Sequence, residues 1–447
     1  MFPYLLWTNS IMPSPDHNSH FSPEDLPSLV FADVKGKILD HPDLKMAGMS
    51  GRSPVIPHPD ELVPLPFGST LFYMPGRTPL GWDLSENSLT KPSPPKSGDD
   101  CLAVAAFLPP GYVRTLLPAT CLQRKPPTLP LWSYAAVGWK DDRFWAAGIM
   151  VDPNPHWDPK YFQDDEGLAI LVKKALAKTP GNRLLHHLAR CALEYHCFAA
   201  KNCFYRRWEL PLPTSPTCNA RCLGCISLQP AGCCPAPHGR ITFVPTVDEI
   251  CEITLPHLTE AEDPIASFGQ GCEGEPILKA DVIKGAVEAL RVETTKGIIN
   301  LNTNGSMPEI IADLCHSGMD SIRVTLSSPD PFLFTAYHKP KGFSLNDLKR
   351  SLILAKESGS SPAINLLVFP GITDRESERD RLISFIRQTG IEQIQMRNLN
   401  IDPDLYLRAM KTKTNGRRYP LHKWMKDLKE AFPRLTFGYF NRAKKDE

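Results

Sequence analysis

Between Pro216 and Pro230 the chain reads PTCNARCLGCISLQP, which places Cys218, Cys222 and Cys225 in a C-x3-C-x2-C array. Thiolates are soft donors suited to zinc and to iron–sulfur clusters. A closed structural zinc site takes four protein ligands, usually as two close pairs across a longer spacer. This array offers three, and Cys233 or Cys234 would have to complete a zinc site. On a four-iron cluster, three thiolates leave one iron without a protein ligand, open to a chelating cofactor. The array therefore points to a three-cysteine iron–sulfur loop, with a zinc knob as the competing reading.

The surrounding pattern says what must position such a loop. RWELPLP reads as a strand leading into it, and TVDEICEITLPHL as a helix opened by a Thr246–Glu249 capping box. Apolar strands then alternate with helices: PIASFGQG, GIINLNTN, SIRVTLS, AINLLVF and IEQIQMRNLN are the strands. Ser306 with Glu309 and Thr373 with Glu376 are expected to cap two of the helices. Nearly all-apolar strands joined by helices form a covered parallel sheet. The fold class is α/β, a partial (β/α)6 TIM-like barrel with a β-rich N-terminal accessory domain. Chemistry in such folds gathers at the C-terminal ends of the strands. The cysteine loop, GQGCEGEP, NTNG, SSPDP and RNLN all fall there.

The expected organisation is a β-rich accessory region at 1–164, a helical connector at 165–206, the barrel at 207–400 and a C-terminal cap at 401–447. Hairpins are expected around Lys35-Gly36 and Lys140-Asp141-Asp142. In the cap, Leu421, Trp424, Met425 and Leu428 share one helical face. The 447 residues are 42% hydrophobic and 22% charged, as in a soluble globular protein. A net charge of +1 supplies no global field for nucleic acid or an anionic membrane. The opening MFPYLLWTNSIMPSP has neither a basic flank nor a small-residue cleavage site, so a cytoplasmic protein is expected. Thirteen cysteines, an odd number, fit reduced thiols or metal ligands better than a disulfide framework.

The motifs, in order, resemble those of the radical S-adenosylmethionine (radical SAM) superfamily. CNARCLGC, GQGCEGEP, NTNG and RNLN also resemble a bacterial subgroup of that superfamily with no assigned reaction. The resemblance implies a [4Fe-4S] cluster on Cys218, Cys222 and Cys225, and bound S-adenosylmethionine (SAM). Gly274-Glu275-Pro276 resembles the family's glycine–glutamate–proline segment, which receives the methionine amino group, and Glu273 beside it would also contact the cofactor. Ser327 would meet the ribose, Arg397 the methionine carboxylate, and Asn304 the cofactor or substrate. Asn302 would share a face with Asn304, and Asn398 and Asn400 would line the pocket. The implied chemistry is reductive cleavage of SAM and hydrogen abstraction from an unknown substrate. The electron would come from a reductant such as flavodoxin or ferredoxin, and no catalytic residue beyond the cluster ligands is implied. Gly224 departs from the family pattern, which has an aromatic residue before the third cysteine. The adenine motif of the fifth strand is not evident in INLLVFPGITD.

Each feature also has a plainer reading. Glu273 and Glu275 could belong to a solvated turn, Asn304-Gly305 to a turn, and Arg397 to a surface strand end. Cys251 and Cys315 recur with apolar residues and read as core packing. Cys272 is divided between packing and proximity to the cofactor. Cys191, Cys197 and Cys203, beside His196, could hold an auxiliary cluster, although spacings of six do not align on one helix. A non-catalytic metal-binding scaffold and an electron-transfer protein are the alternatives to the enzyme.

Overall fold

From Arg207 onward, the alternation of apolar strands and capped helices produces one parallel-stranded sheet. The computed structural model describes residues 6–7, 22–93, 100–229, 234–411 and 417–441. The sheet order is β1 (Arg207–Leu212), β2 (Glu262–Phe268), β3 (Ile298–Thr303), β4 (Ser321–Leu326), β5 (Ser361–Val368), β6 (Gln393–Asn398) and β7 (Thr436–Gly438). Strands are hydrogen-bonded in chain order, and the pairs β1/β2, β2/β3, β3/β4, β4/β5 and β6/β7 are parallel. This is the curled half-barrel expected of the sequence. TFG in the tail adds β7 beside β6, a seventh strand beyond the six βα units.

The helices are α1 (Asp165–Lys178), α2 (Arg183–Leu193), α3 (Phe198–Tyr205), α4 (Val247–Glu260), α5 (Ala280–Glu293), α6 (Pro308–His316), α7 (Pro331–His338), α8 (Leu345–Glu357), α9 (Glu376–Thr389), α10 (Pro403–Met410) and α11 (Leu421–Ala431). The Thr246–Glu249 capping box forms reciprocally, at 3.1 and 2.8 Å. Glu249 also receives the Arg183 guanidinium at 2.7 and 2.8 Å, which ties the start of α2 to the start of α4.

The two other expected capping boxes do not form. α6 begins at Pro308 after Met307, and the Ser306 hydroxyl instead accepts from Asn219. The Thr373 hydroxyl accepts from the Phe369 amide at 3.0 Å, within the turn that precedes α9. At Ser306 a tertiary partner takes the hydroxyl, and at Thr373 a partner within the preceding turn does.

The chain divides into two compact units. One comprises Met1–Pro153, Val368–Asp380 and Arg397–Pro433; the other comprises Asn154–Leu367, Arg381–Met396 and Arg434–Glu447. The units do not follow chain order. Helices α1–α3 belong with the half-barrel, where α3 packs on β1 and α2 on α4. Segment 397–433, with α10 and α11, belongs with the β-rich N-terminal region. Leu421, Trp424 and Leu428 form the buried face of α11, and Met425 is half-buried.

The first unit is built on an antiparallel sheet ordered Leu6–Trp7, Thr70–Met74, Leu102–Phe107, Ser28–Ala32, Val137–Lys140, Arg143–Met150 and Tyr112–Arg114. Both expected hairpins are present. Asp33 accepts the Lys35 and Lys37 amides at 2.9 Å, and Asp141 and Asp142 adopt the left-handed pair that a tight two-residue hairpin requires. Val30, Ala32, Val104, Ala106, Val137 and Ala146 make the core beneath.

Arg77 and Asp402 form a buried ion pair in this unit, 2.9 Å apart and 2% and 1% exposed. Asp402 also accepts the Leu129 amide and caps α10 through the Asp404 and Leu405 amides. Removing one partner of such a pair leaves an uncompensated charge. Asp402→Ala should cost about 3–5 kcal/mol in urea denaturation. Lys284→Ala, at the exposed Lys284–Asp313 pair, should leave the urea midpoint nearly unchanged.

Candidate iron–sulfur and cofactor site

β1 ends at Leu212, and the loop that follows is held from three directions. From the loop after β2, the Gly274 amide donates to the Ser215 carbonyl at 2.6 Å, and the Glu275 amide to the Thr217 carbonyl at 2.8 Å. Glu273 returns the contact. One carboxylate oxygen accepts the Thr214 and Ser215 amides at 2.8 and 2.9 Å, and the other accepts the Gln270 amide at 2.7 Å.

After β3, the Asn304 side-chain amide donates to Asn219 at 2.7 Å, and Asn219 donates to Ser306 at 2.9 Å. From the end of α7, the Tyr337 and His338 carbonyls accept the Leu223 and Arg221 amides at 3.0 Å. The residue at 274 has to be glycine for this arrangement. A Cβ there would lie 2.0 Å from the Thr217 carbonyl oxygen, which is backbone and cannot yield.

Cys218, Cys222 and Cys225 are half-buried free thiols in this loop. Burial pushes the Cys218 thiol up to about 11 and raises Cys222 further. Thiolates here need positive charge from a bound metal or a neighbour. Arg240 supplies some: its Nη2 lies 3.5 Å from Cys225 Sγ, and its Nε donates to the Ser227 hydroxyl at 3.1 Å. His338 Nδ1 lies 3.5 Å from Cys222 Sγ. Burial lowers this imidazole to about 3, so it stays neutral, and its buried Nε2 has no partner.

A tetrahedral zinc draws its sulfur ligands to about 3.8 Å from one another. The three loop thiols are not among the groups of described residues whose ligand atoms all lie within 4.8 Å. That spread suits a multi-iron cluster better than a single ion. Cys234 is half-buried, and Cys233 lies outside the described residues.

The acidic pair of the second loop is fully engaged. Glu275 is buried; its carboxylate takes the Thr303 hydroxyl, the Asn304 amide at 2.9 Å and the Ile277 amide at 3.3 Å. Burial raises both Glu273 and Glu275 to about 7, against the pull of their donors. These carboxylates bind the loops to one another through backbone amides.

Ser327, just past β4, has a buried hydroxyl with no hydrogen-bond partner. Native structures rarely leave such a group unsatisfied, so it marks room for a ligand acceptor or donor. Asn304 is placed at the cysteine loop, one residue beyond the end of β3. Asn302 turns to the Phe268 and Gly269 carbonyls at 3.0 and 2.9 Å. Arg397 is half-buried near the end of β6 and is grouped with the other compact unit. In that unit Asn398 is committed to the Arg114 amide and the Tyr112 carbonyl, and the buried Asn400 Oδ1 has no partner. Arg240 and His338 were not legible as site residues, because neither lies in a motif and each reaches the thiols only through the fold.

Residues 212–386 match the family model described as the radical SAM superfamily. They form a radical SAM domain. The chain is 27% identical over 201 residues to a GTP 3',8-cyclase of Haemophilus influenzae, covering 43% of this chain and 53% of that one. It is 24% identical over 234 residues to molybdenum cofactor biosynthesis protein 1 of Bos taurus, covering 51% and 33%. The chain thus spans between a third and about half of the length of these curated relatives. Among solved structures, methylornithine synthase aligns at 12% identity with a TM-score of 0.37, covering 61% of this chain and 74% of that one. The SAM-bound anSMEcpe aligns at 20% with a TM-score of 0.34, covering 43% and 52%.

A [4Fe-4S] cluster and SAM are the cofactors of radical SAM enzymes. The donors present here fit them: three soft thiols, a nearby guanidinium, a glycine-only cradle and an unsatisfied buried hydroxyl. Among the described residues, no helix is long and apolar enough to cross a membrane.

The two loop glycines should respond differently to alanine. Gly274→Ala meets backbone and should cost about 3 kcal/mol and sharply reduce iron uptake on reconstitution. At Gly271 a Cβ meets only the mobile end of Ile226, 2.7 Å away. Gly271→Ala should cost about 1 kcal/mol or less and keep its iron. Iron content per chain and urea denaturation read both.

Proposed function

We propose that this radical SAM protein holds a [4Fe-4S] cluster on Cys218, Cys222 and Cys225 and cleaves SAM reductively there, to abstract hydrogen from a substrate still to be found. The observation that carries this is the double hydrogen bond from Gly274 and Glu275 to the backbone of the cysteine loop. It sets the thiols and the glycine–glutamate–proline segment side by side. Held by Cys218, Cys222 and Cys225, the cluster would supply the electron for reductive cleavage of SAM and so the means of hydrogen abstraction.

The chain's own residues do the rest. Glu273 fixes the loop entrance through the Thr214 and Ser215 amides, and Asn219 and Asn304 fix its middle. Arg240 offsets negative charge at Cys225 and also holds Ser227. His338 packs a neutral ring against Cys222, which keeps a proton donor or a dry contact at that sulfur. Ser327 offers its free hydroxyl to the ribose. The electron donor is an external low-potential protein of the flavodoxin or ferredoxin kind.

The test is anaerobic reconstitution with iron and sulfide, followed by reductant and SAM, and measurement of 5′-deoxyadenosine. Wild type should release it slowly without substrate, and Cys222→Ala should release none. GTP, the substrate in the name of the cyclase relatives, belongs among the first compounds added. Equal release from both proteins, or stoichiometric zinc in place of iron, contradicts the proposal. Redox cycling without cleavage would support electron transfer instead.

A further inference from the structure

A second soft-donor group lies apart from the cluster thiols. His187 and Cys191 are four residues apart on α2 and therefore share a face. Cys272 reaches the same point from the loop after β2. The ligand atoms of His187, Cys191 and Cys272 all lie within 4.8 Å of one another. His187 Nε2 and Cys191 Sγ are 3.6 Å apart. A tetrahedral zinc, with bonds of about 2.3 Å to sulfur and 2.0 Å to nitrogen, separates those two atoms by about 3.5 Å. Both sulfurs are buried, at 2% and 9% exposure, and both are free thiols.

The sequence had suggested grouping Cys191 with Cys197 and Cys203. The helix breaks after Leu193, and Cys197 becomes the residue that precedes α3, its amide donating to the Cys191 carbonyl at 3.0 Å. The thiol that joins His187 and Cys191 within 4.8 Å is that of Cys272, 81 positions away (272 − 191).

We infer that His187, Cys191 and Cys272 bind one zinc-class divalent ion. Two thiolates and an imidazole are the donor set of a tetrahedral site with a fourth, exchangeable position. The half-buried His238, held by its amide to the Ile226 carbonyl, interacts electrostatically with Cys191 and is a candidate for that position. The site ties α2 to the loop that grips the cysteine array, because Cys272 immediately precedes Glu273. Its role is positioning: the ion joins α2 to that loop through Cys272.

The experiment uses the full-length protein, reconstituted with iron and sulfide and then given one equivalent of zinc sulfate before gel filtration. Metal analysis should find one zinc per chain in addition to the cluster iron. Zinc K-edge X-ray absorption should show two sulfur and at least one imidazole neighbour. Cys191→Ser and Cys272→Ser should lose the zinc, whereas Cys222→Ser should lose iron and keep zinc. That contrast separates failure of this site from failure of the cluster assignment. The absorption spectrum of wild type stands even if a variant folds poorly. The inference is overturned by zinc-free wild type, by zinc retained in the Cys191→Ser/Cys272→Ser double variant, by zinc that leaves with Cys222→Ser, or by a Cys191–Cys272 disulfide in protein kept under reductant.

Discussion

A carbonyl oxygen occupies the place where residue 274 would carry a side chain. That oxygen belongs to Thr217, immediately before the first cysteine of the array. The contact is short because two backbone hydrogen bonds draw the loops together on either side of it. Everything proposed for the site depends on this approach. A loop of three thiols with two flanking prolines has several conformations open to it, and ordering it costs entropy. The second-strand loop offsets that cost with amide-to-carbonyl bonds and with one carboxylate that takes three backbone amides.

Electrostatics acts in the same direction. Cys218 and Cys222 lie where burial disfavours their charged forms, and so do Glu273 and Glu275. A region that buries this many acidic groups is held together by donors and by cations. The amides of Thr214, Ser215, Gln270 and Asn304 serve the two carboxylates, and Arg240 serves Cys225. On the proposed cluster the three thiols would act as ligands rather than as titrating groups, and metal binding would become part of the loop's folding energy. The group formed by His187, Cys191 and Cys272 would extend the same logic to the second loop.

Much of this was legible from residue type and spacing. The apolar strands of βα units, the hairpin turn at Asp141-Asp142 and the cysteine array depend on local patterns, which survive folding unchanged. The rim placement of the unusual loops followed from strand direction alone. What escaped were features made by distant pairs. Ser306 looked like a helix cap, but Asn219, 87 positions away, claimed its hydroxyl. The backbone amides that Glu273 and Glu275 accept, from the loops after β1, β2 and β3, were likewise not readable from the motif. His338 and Arg240 carry no motif, and their approach to Cys222 and Cys225 exists only once α7 and the loop end at 240 are in place. The grouping of 397–433 with the N-terminal strands was equally hidden, because it depends on ion pairs such as Arg77–Asp402.

The central claim is that the three thiols bind a cluster whose remaining iron is reserved for SAM. Mössbauer spectroscopy of iron-57-reconstituted protein, recorded with and without SAM, tests it most directly. The account predicts a four-iron cluster in which adding SAM shifts the signal of one iron and leaves the others unchanged. A spectrum without such a cluster, or one in which every iron is held by side chains and none responds to SAM, would contradict it.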